Sequence, residues 1–314
     1  MARKIRIGYP CINRAIGCTA NHTFRLASYS SARLFEAVAA NIECLKKILK
    51  FNLENGIFFF RISSDLVPFA SHPVCGPGWK KKFSKELRET GNIIKKAGMR
   101  VSMHPDQFVL INAIDEDIVK RSVLELEYHS DVLDLMGLDG TAKVQIHVGG
   151  VYGDKISAME RFCRRYSDLP AKVKKRLAIE NDDRLYTLSD CCDISRRTGV
   201  PVIFDVFHHE CLSSGESVIE ALGKAGATWG KKDGPLMTDY SEQARGARKG
   251  SHAEKMRTAN FIKFLEAVLR SGTSVDIMLE IKDKEKSALE ALKAARKFAA
   301  AHGTIIVDMP LRQK

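Results

Sequence analysis

Short apolar runs alternate with longer amphipathic stretches along almost the whole chain. The runs at residues 5–7, 57–62, 100–103, 143–148, 177–180, 202–206, 236–237 and 277–281 predict eight β-strands. The stretches at 34–53, 84–97, 117–136, 157–166, 188–198, 218–224, 252–270 and 285–301 carry apolar residues at helical spacing and predict the helices between and after them. Eight βα pairs in one chain point to a single (β/α)8 TIM barrel over residues 1–314 rather than to two domains. The punctuation agrees: Ala97-Gly98 closes one helix, Thr198-Gly199-Val200-Pro201 closes another before a strand, and Ser84 is placed to cap a helix start. An open doubly wound sheet uses the same alternation, but no G-x-G-x-x-G phosphate loop follows any of these strands.

Composition adds class and compartment. At 314 residues and 45% hydrophobic content the chain can bury a sizeable core. It has no run of about 18 apolar residues, and its start, Met1-Ala2-Arg3-Lys4-Ile5, leads into a strand without a signal-peptide core. The expectation is a cytoplasmic, nucleoid-associated monomer with no membrane partner. Cys11, Cys18, Cys44, Cys75, Cys163, Cys191, Cys192 and Cys211 form no C-x-x-C pair and are expected to be reduced and mostly buried. A net charge of +12 and a pI near 9.3 favour a polyanionic partner.

In a TIM barrel the active site is assembled at the C-terminal ends of the strands. Those ends carry Ser64-Asp65 with His72 in the following loop, His104, His147, Glu180-Asn181-Asp182, Asp205 with His208 and His209, Asp239 with His252 beyond it, and Glu280. Neutral imidazoles and carboxylates suit Zn2+ and Mn2+, and a carboxylate such as Glu180 can bridge two ions. Two ions about 3.5–4 Å apart can hold a phosphodiester, generate hydroxide and neutralise the leaving oxygen. Isolated histidines such as His22, His129 and His302 are read as surface or core residues. For the strand-end set, packing is a poor explanation, because buried charges are costly unless paired or metal-bound.

The motifs Gly8-Tyr9-Pro10, Arg61-Ile62-Ser63-Ser64-Asp65 with His72, His104-Pro105, Gln145-Ile146-His147-Val148-Gly149-Gly150, Leu177-Ala178-Ile179-Glu180-Asn181-Asp182 and Asp205-Val206-Phe207-His208-His209 occur in an order and spacing that resembles the UV damage endonucleases over nearly the whole chain. The resemblance implies a TIM barrel with two or three divalent ions, Mn2+ by expectation. It also implies nicking of damaged double-stranded DNA immediately 5′ to UV photoproducts such as cyclobutane dimers, leaving a 3′-hydroxyl and a 5′-phosphate. Fold and metal site are similar to those of endonuclease IV.

Carried over position by position, the resemblance implies a metal site of His72, His104, His147, Glu180, Asp205, His208, His252 and Glu280, with Glu180, His72 and His104 in catalytic roles. Where many relatives have Lys-x-His at the end of strand seven, this chain has Met237-Thr238-Asp239. Methionine cannot be carboxylated as that lysine can, so no carboxylated lysine is expected, and Asp239 is a candidate oxygen ligand in place of the imidazole. Gln107-Phe108 matches a position that probes the duplex at the damage, and Tyr9 and Asn13 match positions near DNA. Lys80, Lys81, Lys82, Lys231, Lys232, Arg245, Arg248 and Lys249 lie in loops expected on the catalytic face, with Lys80, Lys81, Lys232 and Arg248 taken as backbone contacts. Lys172, Lys174, Lys175 and Arg176 precede strand five and are expected to be a solvated run on the opposite face. The rival readings are a metal-dependent sugar isomerase or epimerase on the same barrel, which needs neither a basic rim nor a Gln-Phe probe, and a DNA-binding protein without catalysis.

Overall fold

The computed structural model describes residues 3–303 and 305–307. Its first half runs β1 (Arg3–Pro10), α1 (Ser31–Asn55), β2 (Phe59–Ile62), α2 (Gly78–Lys82), α3 (Ser84–Lys96), β3 (Arg100–Met103), α4 (Glu116–Leu135), β4 (Lys143–His147), α5 (Lys155–Asp168) and α6 (Ala171–Arg176). The second half runs β5 (Leu177–Glu180), α7 (Leu188–Thr198), β6 (Val202–Asp205), α8 (Val206–Cys211), α9 (Val218–Gly226), β7 (Leu236–Tyr240), α10 (Thr258–Ser271), β8 (Val275–Leu279), α11 (Glu285–His302) and β9 (Ile305–Val307). This is the (β/α)8 TIM-barrel order expected from the apolar pattern, with β9 as a short addition beside β1. No described helix is long and apolar enough to cross a membrane.

Contacts divide the chain into two compact units. One holds Met1–Pro10, Asn52–Phe60 and Ala178–Lys314. In it, β5, β6, β7, β8 and β1 lie side by side in parallel, with Asp205 opposite Asp239 and Asp239 opposite Met278. Phe59, Ala178, Ile203, Met237 and Met278 form a wholly buried layer. Side chains alternate along a strand, so the residues two places further on point to the same face. Glu180, Asp205, Asp239 and Glu280 stand two places beyond Ala178, Ile203, Met237 and Met278. The apolar layer is thus the floor of a row of carboxylates at the strand ends.

The other unit holds Cys11–Phe51 and Arg61–Leu177. Here β3 and β4 pair in parallel, Ser102 opposite Lys143 and Met103 opposite Val144. Asp115 caps α4 by accepting from the backbone N–H groups of Asp117 and Ile118, and the helix buries Leu126, Tyr128, Val132 and Leu133.

Several local expectations need correction. The helix expected from residue 252 starts at Thr258, because the segment before it is drawn into a hairpin: Gln243 and His252 form an antiparallel bridge and the Ala253 N–H donates to the Glu242 carbonyl at 2.8 Å. Strand β7 continues to Tyr240, opposite Leu279, so Asp239 lies in the strand and not in a loop. Ser84 is the first residue of α3 rather than its cap, and its hydroxyl donates to the Lys81 carbonyl at 3.1 Å. Cys18 and Cys44 are joined by a disulfide, since the fold sets their Cα atoms 6.0 Å apart, within bridging range. Of the remaining cysteines only Cys75 and Cys191 are buried.

Candidate metal centre

Asp205 ends β6 and caps α8 at once. Its Oδ1 accepts the His208 N–H at 2.7 Å, which brings the imidazole back over the strand end. Asn181 clasps the same turn: its Oδ1 accepts the Asp205 N–H at 3.0 Å, and its Nδ2 donates to the Asp205 carbonyl at 2.9 Å. His208 Nδ1 lies 3.0 Å from the Asn181 carbonyl, 3.5 Å from Asp205 Oδ2 and 3.8 Å from Glu180 Oε1. His252 Nδ1 lies 2.8 Å from the Glu280 carbonyl. A proton on Nδ1 in each ring leaves Nε2 with its lone pair, the arrangement by which a carbonyl orients a ligating histidine. Glu280 is fixed by its own N–H donating to the Tyr240 carbonyl at 2.9 Å.

Two ligand sets share Asp205. Glu180, Asp205 and His208 form one, and Asp205, Asp239 and Glu280 the other, with the ligand atoms of each set within 4.8 Å of one another. Asp205 and Asp239 are wholly buried and Glu180 nearly so. Burial pushes the Asp205 carboxyl up to about 8, His208 opposing and the charges of Glu180, Glu280 and Asp239 adding to the rise. Burial alone would lower His208, but Asp205, Glu180 and Glu280 outweigh it and raise the imidazole to about 9. Asp205 Oδ2 is buried and accepts no hydrogen bond among the described residues. A buried carboxylate oxygen that accepts no hydrogen bond and lies among like charges, with His208 as its only near cation among the described residues, is costly without a metal ion. The donor set of hard oxygens and imidazoles fits a divalent ion such as Mn2+ or Zn2+.

His104 and His147 stand at the ends of β3 and β4 with ring centroids 5.5 Å apart. Gly149 at φ +117° lets the chain turn tightly after β4, and a Cβ there would fall 2.2 Å from Asn112 Oδ1. Asn112 Nδ2 donates to the Gly150 carbonyl at 2.9 Å. His72 is exposed, and its Nδ1 accepts the Val74 N–H at 3.1 Å. It borders a cavity of about 770 Å³ together with Asp65, Asp106, Phe108, Glu125 and Tyr128. Burial raises the Asp65 and Glu125 carboxyls, and Asp106 raises both further. Phe108 is 63% exposed and Gln107 is exposed beside it.

The DNA-facing expectations separate. Tyr9 and Asn13 are buried: the Tyr9 hydroxyl donates to Asn52 Oδ1 at 2.7 Å, and Asn13 Oδ1 accepts the Ala15 N–H at 2.9 Å. Both side chains are thus engaged within the protein in this structure. Lys81, Lys232 and Arg248 are exposed. Lys80 instead pairs with Asp131 at 2.5 Å, and that carboxylate also binds Lys172 at 2.7 Å. The run expected to be solvated is partly internal too. Arg176 is wholly buried, donating to Asp134 and to the carbonyls of Leu138, Asp139 and Ala142. Sequence reasoning gave no role to Asn181, although its motif was in view, nor to Asp106 and Glu125, which only the packing of α4 brings to the cavity of His72.

Residues 5–306 match the family model for UV-endonuclease UvdE. The UV DNA damage endonuclease of Clostridium perfringens (strain 13 / Type A) is 37% identical over 296 residues, covering 94% of this chain and 71% of that protein. Among solved structures, that of SacUVDE has a TM-score of 0.90 at 44% sequence identity, covering 94% of this chain and 99% of that one. Endonuclease IV from Thermus thermophilus gives a TM-score of 0.55 at 16% identity over 82% of this chain and 94% of that one, a likeness of fold alone.

Proposed function

Because the chain belongs to the UV-endonuclease UvdE family, we propose that it is a DNA repair endonuclease. In this reading it is a monomeric, single-domain, metal-dependent enzyme of the cytoplasm that nicks damaged double-stranded DNA immediately 5′ to UV photoproducts. The observation that carries the metal dependence is the row of Glu180, Asp205, Asp239 and Glu280 above a buried apolar layer, with an orphaned oxygen on Asp205. When bound there, divalent ions such as Mn2+ supply Lewis acidity to a phosphodiester and a source of hydroxide at neutral pH.

The carboxylates hold the charge, and His208 and His252 present imidazole nitrogens oriented by backbone carbonyls. In this reading, which the family resemblance supports, His104 and His147 are further ligands and Glu180, His104 and His72 take catalytic roles. Met237 stands where the resemblance implies a lysine, and its side chain is spent in the apolar layer two residues before Asp239. Phe108, with Gln107, supplies the wedge: an exposed ring entering a base step pays unstacking, and that cost is least where a lesion has already weakened pairing. Lys81, Lys232 and Arg248 are free to meet the backbone.

A duplex carrying one cyclobutane dimer tests the reading. Incision immediately 5′ to the dimer is expected with Mn2+ and is abolished by EDTA. Absence of incision with any divalent metal would overturn it.

A further inference from the structure

The hairpin between β7 and α10 carries the basic segment Arg245-Gly246-Ala247-Arg248-Lys249-Gly250, and one side chain braces its tip. Gln243 Nε2 donates to the carbonyls of Ala244 at 3.1 Å, Ala247 at 3.3 Å and Arg248 at 3.0 Å, while its Oε1 accepts the Gly250 N–H at 3.0 Å. One amide thereby engages four backbone groups, its two N–H hydrogens shared among three carbonyls, in a loop that is also held by backbone bonds from Ala244 N–H to Ser251, Ala247 N–H to Ala244 and Ser251 N–H to Arg248. The base of the hairpin is equally fixed. Buried Glu242 accepts from the Tyr240 hydroxyl at 3.1 Å, the Arg257 N–H at 2.9 Å, the Arg257 guanidinium and Asn260 Nδ2 at 3.1 Å. The tip is also tied at its far side, where Lys249 Nζ donates to the Cys211 carbonyl at 2.9 Å. Gly250, at φ +85°, passes so close to Asp183 that a Cβ would lie 2.7 Å from its Oδ2.

Of the three cations on the loop, the fold therefore uses Lys249 itself. Arg245 and Arg248 remain exposed, with no ion pair among the described residues, on a backbone that is already ordered. Ordering a loop before binding removes an entropic cost that binding would otherwise meet. We propose that Gln243 is the positioning residue of a two-arginine clamp, Arg245 and Arg248, that takes two backbone phosphates of duplex DNA. Gln243 is also the bridge partner of His252, so the same rigid hairpin fixes the clamp and that imidazole together. This rests on the endonuclease reading and adds to it a residue that touches neither DNA nor metal.

The test is duplex binding in EDTA, titrated with salt, so that cleavage plays no part. Each phosphate contact contributes roughly −0.9 to the slope of log affinity against log salt. Gln243→Ala is expected to weaken binding about tenfold and to make the slope shallower by about 1.8, as Arg245→Ala with Arg248→Ala does. Adding Gln243→Ala to that arginine pair should change the affinity less than twofold. A wild-type slope in the arginine double variant overturns the clamp however Gln243→Ala folds. A wild-type slope in folded Gln243→Ala, or a fully additive effect, overturns the role of Gln243. Failure of the unaltered protein to bind duplex DNA at all counts against the endonuclease reading instead.

Discussion

Stripping the protein with a chelator and titrating Mn2+ back at a series of pH values tests the carboxylate row directly. Asp205, Asp239 and Glu280 present oxygens within 4.8 Å of one another. At that spacing two unit charges repel by ~3.5 kcal/mol for an effective dielectric constant of about 20, so a fully ionised Asp205 faces ~7 kcal/mol from two neighbours. Burial is the largest cause of its rise from 3.8 to about 8, with Glu180, Glu280 and Asp239 adding to it and His208 opposing. Without a cation, Asp205 keeps its proton below about 8, and His208 keeps its own below about 9. Ligation requires carboxylate and neutral imidazole, so an entering ion displaces both protons. Affinity therefore falls as pH falls below those values, by up to about 10² between pH 8 and pH 6 for each proton displaced, and levels off above about 9. Calorimetry in two buffers of different protonation enthalpy should detect net proton release at pH 7, and less of it in Asp205→Asn, which removes one proton and the main charge that raises His208. Release near zero, with affinity flat from pH 6 to pH 8, would refute the assignment of these groups as ligands.

Asp239→Ala should lower the number of ions bound and abolish incision; full metal content with full activity would remove Asp239 from the site. Tyr9→Phe leaves buried Asn52 Oδ1 without the donor it has now and should cost about 1–3 kcal/mol in denaturant unfolding, with KM for DNA unchanged. A raised KM at unchanged stability would refute this and make Tyr9 the DNA contact that the family resemblance implies. Phe108→Ala removes a ring that is 63% exposed, so the unfolding midpoint should hold while kcat/KM on a dimer-containing duplex falls about tenfold, for the lost wedge. Unchanged incision would show that another group opens the duplex.

What the sequence made legible was whatever follows from period. Residues two places apart on a strand share a face, so Glu180, Asp205 and Glu280 could be placed above Ala178, Ile203 and Met278 from the strand pattern, whereas Asp239 joins them only because β7 runs past the expected 236–237 to Tyr240. The same rule, applied from Ile5 and Ile7, puts Tyr9 inside, where the structure has it. Adjacent lysines mislead for the complementary reason: a helix turns about 100° per residue, so on α2 Lys80 reaches Asp131 while Lys81 faces solvent. Illegible were the features set by which distant segments meet. Residues 252–257 pair back onto Glu242 and Gln243 rather than extending α10, and Cys18 finds Cys44 across 26 residues. Asn181 and Gln243 belong to this second kind. An amide side chain carries no fixed partner, and its function becomes readable only when the fold supplies the backbone groups that it satisfies: a strand end in one case, a basic loop in the other. Both hold other residues still, so a search for ligand-type residues passes over them.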